Sequence, residues 1–180
     1  MKDLGLHFTT EMVRAIMDGR KTQDRRPMTE RNPFGATGDT LWVRETWRVS
    51  SEGVHTPDGE TGTMDLWVDY RAGHKAGFGQ KRTKFAYPEH KDLARKAWGR
   101  NKSFSWRPSI HMPRWASRIE LIVKSVRTQR LGEMTEEEAR AEGVDSLADF
   151  RALWASIYSK RGLGWEAGRV VRVCEFEVKR

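Results

Sequence analysis

The chain has 180 residues, of which 37% are hydrophobic and 32% are charged, and its formal net charge is +8. This length suits one domain with a single core, and the balance of residues excludes an intrinsically disordered chain. No apolar run approaches the roughly 18–20 residues that cross a bilayer, and residues 1–6 lack the apolar segment of a signal peptide. We therefore expect a cytoplasmic protein with no membrane partner. The single cysteine, Cys174, excludes an internal disulfide and is expected on a buried strand.

The positive charge is concentrated in the middle of the chain. Residues 71–107 contain 11 basic and 2 acidic residues, a balance of +9, whereas the rest of the chain sums to −1. Because this segment combines glycines and aromatics with little apolar periodicity, we expect a mobile basic insertion at about 71–105, with at most a short helix over 92–98. Such a segment suits a polyanion, because neutralised phosphates release counterions. A solvated loop without a partner is the alternative.

The predicted elements of the first half begin with a helix that Thr9 or Thr10 caps and that Gly19 ends. A loop rich in proline and glycine follows over 27–38. Apolar residues in the next segments predict strands over 41–47 and 64–70.

The second half contains the clearest strand, from Ser117 to Leu131, where apolar and polar residues alternate. The alternation shifts near Lys124, so we expect a β-bulge there. Capping residues Thr135 and Ser146 open two helices, and a final strand is predicted over 169–178. Strands separated by single helices, without repeated βαβ units, predict an α+β fold built on a barrel rather than a doubly wound sheet.

The main candidate site directly follows the first helix. Within residues 20–26 the chain places four cations, one hydroxyl and one carboxylate: Arg20, Lys21, Thr22, Asp24, Arg25 and Arg26. One interpretation is that the cations complement the negative end of the helix dipole. The other is an anion site in which Lys21 serves as a base.

Several common chemistries lack their motifs in this chain. It has no phosphate-binding glycine loop and no Gly-x-Ser-x-Gly segment, and its five histidines show no close pairing. We therefore expect neither a metal nor a cofactor. In the segment 106–118, which holds two tryptophans and two prolines, Arg114 and Arg118 are expected to pair with phosphate or with carboxylates such as Glu45.

Four motifs occur in order along the chain: Gly19-Arg-Lys-Thr-x-x-Arg-Arg26, Gly38-Asp-x-Leu-Trp-Val-Arg-Glu-Thr-Trp47, Ser109-Ile-His-Met-Pro-Arg-Trp-Ala-Ser-Arg118 and Val173-Cys-Glu-Phe176. Together they resemble ASCH-domain proteins of the PUA-like superfamily, especially the longer forms of bacteriophages and prophages. The resemblance does not cover 50–63 or 71–105. It implies a single domain over 1–180, a small β-barrel with flanking helices, and a cleft lined by the Gly-Arg-Lys-Thr segment. It also implies binding of RNA or a nucleotide, with DNA possible, in the cytoplasm of a bacterial host if the chain is phage-encoded.

One branch of the family consists of acetylcytidine amidohydrolases, which use a lysine base, a threonine nucleophile three residues later and a glutamate acid in the acidic helix. Carried over by position, these residues are Lys21, Asp24 and Glu142, so that an aspartate replaces the threonine. A carboxylate nucleophile would give a labile anhydride, or the carboxylate would position water instead. Thr22 is a substitute nucleophile, and an ion pair between Asp24 and Lys21 that keeps the lysine protonated is a further alternative.

The resemblance also implies a set of nucleotide contacts. The expected residues are Arg20, Thr22, Arg25, Arg26, Arg44, Trp47, Ser109, His111 and Arg114. Three other functions stay open: a non-catalytic nucleic-acid-binding module, a ribonuclease that uses Lys21 with Asp24, and a phage factor that binds a host protein. The sequence does not set the oligomeric state.

Overall fold

The computed structural model describes residues 1–28, 32–53, 64–73, 82–85, 105–166 and 168–179. They belong to two compact units. Unit 1 comprises Met1–Leu6, Glu11–Val43 and Ile119–Arg180, and unit 2 comprises His7–Thr10 and Arg44–Arg118. The single domain over 1–180 stays a prediction.

The described chain contains eight strands and three α-helices. The strands are β1 (Asp3–His7), β2 (Gln23–Pro27), β3 (Thr40–Arg44), β4 (Trp47–Gly53), β5 (Met64–Tyr70), β6 (Arg82–Phe85), β7 (Glu120–Arg130) and β8 (Val170–Val178). The helices are α1 (Thr10–Met17), α2 (Glu136–Ala141) and α3 (Leu147–Tyr158). This mixture confirms the α+β class.

A five-stranded sheet with the order β1-β3-β7-β8-β2 forms the base of unit 1. Strands β7 and β8 pair antiparallel, and their register shifts between Val123 and Ser125, which confirms the expected bulge. On the other side of β8, β2 pairs antiparallel, with Asp24 opposite Cys174. This pairing brings the end of the first motif next to the end of the chain.

The expected closed barrel is not seen in the described part of the chain. There, β1 and β2 are the outer strands of the sheet, and each has one neighbour, so no pairing between them closes it. The second sheet, β4-β5-β6, is likewise open. The observed architecture is therefore two open sheets with flanking helices.

The helices of unit 1 follow their capping signals. Thr135 accepts a hydrogen bond from the Glu138 backbone N–H in a capping box, and Ser146 accepts one from the Asp149 N–H. Helix α3 packs its aromatic face on the sheet, in a core formed by Leu131, Met134, Ala139, Phe150, Trp154, Tyr158, Val171 and Val173. This core fixes α2 and α3 against β8.

Unit 2 has its own small core beside the sheet β4-β5-β6. It consists of Trp47, Val49, Val68, Tyr70, Met112 and Ala116. Most of the insertion predicted at 71–105, including the helix over 92–98, lies outside the described residues. Within the described part, 71–73 form a 3₁₀ turn and 82–85 form β6, and the mobility of the insertion stays a prediction.

The described residues contain no helix that is long and apolar enough to span a membrane. The expected burial of Cys174 on β8 is confirmed.

Candidate functional site

The connection between α1 and β2 positions the first part of the candidate site. The Lys21 N–H donates to the Ala15 carbonyl at 3.0 Å, and the Thr22 N–H donates to the Ala141 carbonyl at 2.8 Å. Lys21 and Glu142 also form an isolated antiparallel bridge. The connection therefore lies against the C-terminal end of α2, before the regular strand begins at Gln23.

The Lys21 ammonium lies between two carboxylates. Lys21 is only 1% exposed, and its Nζ lies 2.7 Å from Glu142 Oε2 and 3.2 Å from Asp24 Oδ1. It also donates to the Glu142 carbonyl oxygen at 3.2 Å. The ammonium thus makes two hydrogen bonds to Glu142 and an ion pair with Asp24. The ion pair between Lys21 and Asp24 that the sequence left open is thus present.

Asp24 is held from its other side by Arg26. The Arg26 Nε donates to Asp24 Oδ2 at 2.7 Å, and Arg26 is in turn hydrogen-bonded to Tyr158. Burial lowers the pKa of Arg26, but the charge of Asp24 and these hydrogen bonds outweigh burial, so the pKa lies above its ordinary value. Arg26 is therefore a fixed cation that orients Asp24.

Glu142 is the second carboxylate on Lys21, and it is 2% exposed. Its Oε1 accepts a hydrogen bond from Arg25 NH1 at 2.9 Å. Burial raises the pKa of Glu142 and the charge of Asp24 acts in the same direction, while Lys21 and Arg25 oppose them. The net direction is upward, so Glu142 takes up a proton more readily than an ordinary glutamate.

Arg25 was expected to contact phosphate or ribose, and the structure corrects this expectation. Its side chain is fully buried, and its NH2 lies 3.0 Å from Glu138 Oε2 while NH1 contacts Glu142. Gln129 Oε1 accepts a further hydrogen bond from NH2 at 3.2 Å. Because two glutamates already neutralise this guanidinium inside the protein, we assign Arg25 to holding Glu142 in place.

A surface cleft of about 580 Å³ lies beside Lys21 in unit 1. Its lining combines apolar residues from α1, β7 and β8 with a few polar ones: Ile16, Gly19, Lys21, Thr22, Ile122, Phe176, Glu177, Val178 and Lys179. Thr22 is exposed at this cleft. Arg20 is exposed as well; it contacts Asp18 at 3.5 Å and donates to the Gly143 carbonyl at 3.2 Å.

The remaining predicted contacts belong to unit 2. Arg44 is half-buried and donates to the Ile110 carbonyl. Ser109 and His111 begin and end one 3₁₀ turn, and Arg114 begins another. His111 is exposed, whereas Ser109 and Arg114 are half-buried.

Trp47 was expected to contact a nucleotide, and the structure corrects this expectation. Its side chain is 1% exposed and lies in the core of unit 2. Trp115 packs edge-on against it, with ring centroids 6.0 Å apart. A ring that is covered in this way has no face for a base, so we assign Trp47 to the core.

Arg118 was expected to pair with a phosphate or with a carboxylate, and it pairs with the carboxylate of Glu45. Its Nε and NH2 donate to the two oxygens of Glu45 at 2.9 and 3.0 Å. Burial raises the pKa of Glu45, and Arg118 opposes this rise. The pair is a buried structural element of unit 2.

Sequence reasoning missed several residues that complete the polar cluster of unit 1. Gln129 and Glu138 bind Arg25, and Tyr158 binds Arg26. Tyr158 lies at the end of α3, where its side chain is also part of the apolar core. These residues are distant from Lys21 in sequence, and no local pattern connects them. Among the described residues, no group of three or more His, Cys, Asp or Glu side chains is arranged to hold a metal ion.

No protein-family model matches the chain, and no curated protein matches it. Among solved structures, the chain is similar to an ASCH domain from Lactobacillus crispatus JV V101, with a TM-score of 0.48 and 12% identity over 98% of this chain and 79% of that one. It is also similar to the protein EF3133 from Enterococcus faecalis V583, described as DUF984, with a TM-score of 0.47 and 11% identity over 99% of this chain and 80% of that one. Both similarities concern the fold.

Proposed function

We propose that unit 1, as a PUA-like domain of the ASCH type, binds a nucleoside or an unpaired base of RNA in the cleft beside Lys21. The observation that carries this proposal is the position of a cleft of about 580 Å³ next to a buried cluster of paired charges. Small-molecule sites typically enclose about 300–1,000 Å³. The cleft is therefore of a suitable size for a nucleoside.

The composition of the lining supports a base as the ligand. Ile122, Phe176 and Val178 supply apolar surface, whereas Thr22 and Lys179 supply a hydroxyl and a cation. Binding sites for small molecules combine mostly apolar walls with a few polar groups that fix orientation. A nucleobase has the matching combination of flat apolar faces and polar edges.

The buried charges support a site rather than a purely structural cluster. Lys21, Asp24, Arg25 and Glu142 are all buried. Burying an ion pair often contributes nothing to stability compared with apolar residues of the same volume. Clusters of this kind beside a cleft are typical of functional sites.

Calorimetric titration with cytidine, N4-acetylcytidine and uridine tests this binding function. Thr22→Val removes a hydroxyl at the cleft, and we expect it to weaken cytidine binding about tenfold. The matched control is Thr128→Val, which changes an exposed threonine on β7 that does not line the cleft. Absence of binding by the wild type, or an equal effect of both variants, would contradict the proposal.

A second candidate function, hydrolysis of an acyl amide on the exocyclic amine of cytidine, is favoured by the contacts of Lys21 Nζ with both Asp24 and Glu142. Asp24 accepts a proton from a water molecule that attacks the acyl carbon, and the Lys21 ammonium stabilises the negative charge on the acyl oxygen. Burial raises the pKa of Glu142, so it takes up a proton more readily than an ordinary glutamate, and in its protonated form it donates to the leaving amine as the C–N bond breaks. Lys21 then passes a proton to Glu142 and takes one from Asp24. The products are cytidine and the carboxylic acid.

Release of acetate from N4-acetylcytidine tests this second function. Glu142→Gln removes the proton donor and is expected to lower kcat at least about 100-fold. Glu137→Gln is the matched control, because Glu137 is an exposed glutamate on α2. Cytidine binding without acetate release by the wild type would leave the binding function and exclude hydrolysis of this substrate.

A further inference from the structure

Two arginines of unit 2 lie over one tryptophan ring. The Cζ of Arg48 lies 4.6 Å from the centroid of the Trp106 ring, and the Cζ of Arg71 lies 5.8 Å from it. We call Arg48, Arg71 and Trp106 the arginine platform. A guanidinium over an indole is an attractive cation–π contact, so the ring positions both cations.

The backbone holds the platform in place from two directions. Arg48 on β4 is the register partner of Asp69 on β5, and Arg71 directly follows β5. Beside Trp106, Arg107 exchanges backbone hydrogen bonds with Trp47, at 2.7 and 3.2 Å. Trp106 is thereby attached to the buried end of β4, and the platform is fixed before any ligand binds.

Among the described residues, the charges of the platform are not balanced. Asp69 is buried, and its Oδ2 accepts a hydrogen bond from Arg48 Nε at 2.9 Å. Arg71 is exposed, and among the described residues it has no carboxylate within ion-pair distance. Within the described part of the chain, two cations therefore share one ring and one carboxylate. A bound anion would reduce the repulsion between them.

We propose that the arginine platform binds single-stranded nucleic acid. Arg71 contacts a phosphate, and an unstacked base packs on the exposed guanidinium of Arg71, which the Trp106 ring supports from below. Single strands present base faces to aromatic rings and to arginine planes, whereas the faces of paired bases are covered by their neighbours in a duplex. This surface lies entirely within unit 2 and does not depend on the cleft of unit 1.

Fluorescence anisotropy with a labelled 12-nucleotide oligouridine and the full chain tests this inference. Loss of one phosphate contact on a single strand lowers the slope of log K against log salt by about 0.7, which corresponds to about fivefold weaker binding at 0.1 M salt. We expect this change for Arg71→Ala. Because Arg71 is exposed, the variant is expected to keep the wild-type melting temperature.

Arg151→Ala is the matched control. Arg151 is also an exposed arginine over an indole, with its Cζ 5.0 Å from the Trp165 centroid, but it belongs to unit 1. We expect Arg151→Ala to bind the oligonucleotide like the wild type, and a 12-base-pair RNA duplex to bind more weakly than the single strand. The proposal would be overturned if the affinity of Arg71→Ala stayed within twofold of the wild type, or if Arg151→Ala lost as much affinity. It would also be overturned by a preference for the duplex or by equal competition from polyglutamate.

Discussion

Lys21 Nζ lies 2.7 Å from Glu142 Oε2, although 121 residues separate the two in the chain. The contact joins the connection after α1 to the C-terminal end of α2, and it is buried on both sides. Removal of either partner takes one charge out of a buried network in which Lys21 also pairs with Asp24 and Glu142 also pairs with Arg25. The pair thus couples the stability of the unit to the candidate site.

We expect Lys21→Met to lower the free energy of unfolding by about 3–5 kcal/mol, because it leaves Asp24 and Glu142 buried without their shared cation. Urea denaturation followed by circular dichroism measures this change. The control is Lys160→Met, at an exposed lysine after α3. We expect the double variant Lys21→Met/Glu142→Gln to recover part of the loss, and a loss below about 1 kcal/mol in the single variant would contradict the role of the pair.

Substitution of Gly143 by alanine tests how tightly the chain packs beside Lys21. Its φ is +86°, and an added Cβ would lie 2.7 Å from Ala15 Cβ and 3.0 Å from Lys21 Cβ. Gly19 has a φ of +74° but open space around its Cβ position. We expect Gly19→Ala to cost about 1–2 kcal/mol through backbone strain alone, and Gly143→Ala to cost more in the same urea titration. An equal loss of unfolding free energy in the two variants would show that Ala15 and Lys21 move away from the added Cβ at little cost.

The pKa of Cys174 gives a pH-dependent prediction. Burial, together with the carboxylates of Asp24 and Glu142, raises the pKa of this thiol to about 12 from its ordinary value of 9.0. The folded state therefore holds the thiol proton more tightly than the unfolded state does. This contribution to stability is complete below pH 9 and is lost as the pH rises towards 12.

Two measurements check this prediction. The native protein at pH 8.5 is expected to leave Cys174 unmodified by a thiol reagent, whereas one thiol per chain reacts in guanidinium chloride. Between pH 9 and 11, the wild type is expected to lose more stability than Cys174→Ala. Rapid modification of the native thiol would be inconsistent with its burial.

Variants of Asp24 distinguish two possible routes for acyl transfer. In the proposed hydrolysis Asp24 takes a proton from water, so Asp24→Asn is expected to lower kcat at least about 100-fold. Asp24→Thr places a hydroxyl where the resembling amidohydrolases have their nucleophile, and we expect it to retain more activity than the asparagine variant. Acetate release by both variants provides the comparison; equal activities would argue against any role of position 24 in the chemistry.

The elements that local signals specify were predictable from the sequence. Capping residues identified α2 and α3, and the shift in alternation identified the bulge in β7. β2 was missed because its residues, Gln-Asp-Arg-Arg-Pro, are polar and have low strand propensity. Its strand conformation depends on pairing with β8, which no local pattern reveals.

The candidate site was only partly predictable, because its geometry also depends on contacts between distant segments of the chain. The resemblance brought Lys21, Asp24 and Glu142 together as a group, and the structure places their side chains in contact. A regular strand would direct positions 21 and 24 to opposite faces. Lys21 instead lies before β2 and forms an isolated bridge with Glu142, directly after α2. The backbone at Lys21 therefore departs from a regular strand because it pairs with the end of this helix.

The pairing of β2 with β8 also has a consequence for how the protein forms during synthesis. Asp24 lies opposite Cys174 in the sheet, so the environment of the cluster is incomplete until β8 has been synthesised and has paired with β2. Contacts between residues so distant in the chain form slowly, because the long intervening loop must close first. Until β8 pairs with β2, we therefore expect the charged residues of the first motif to remain in water.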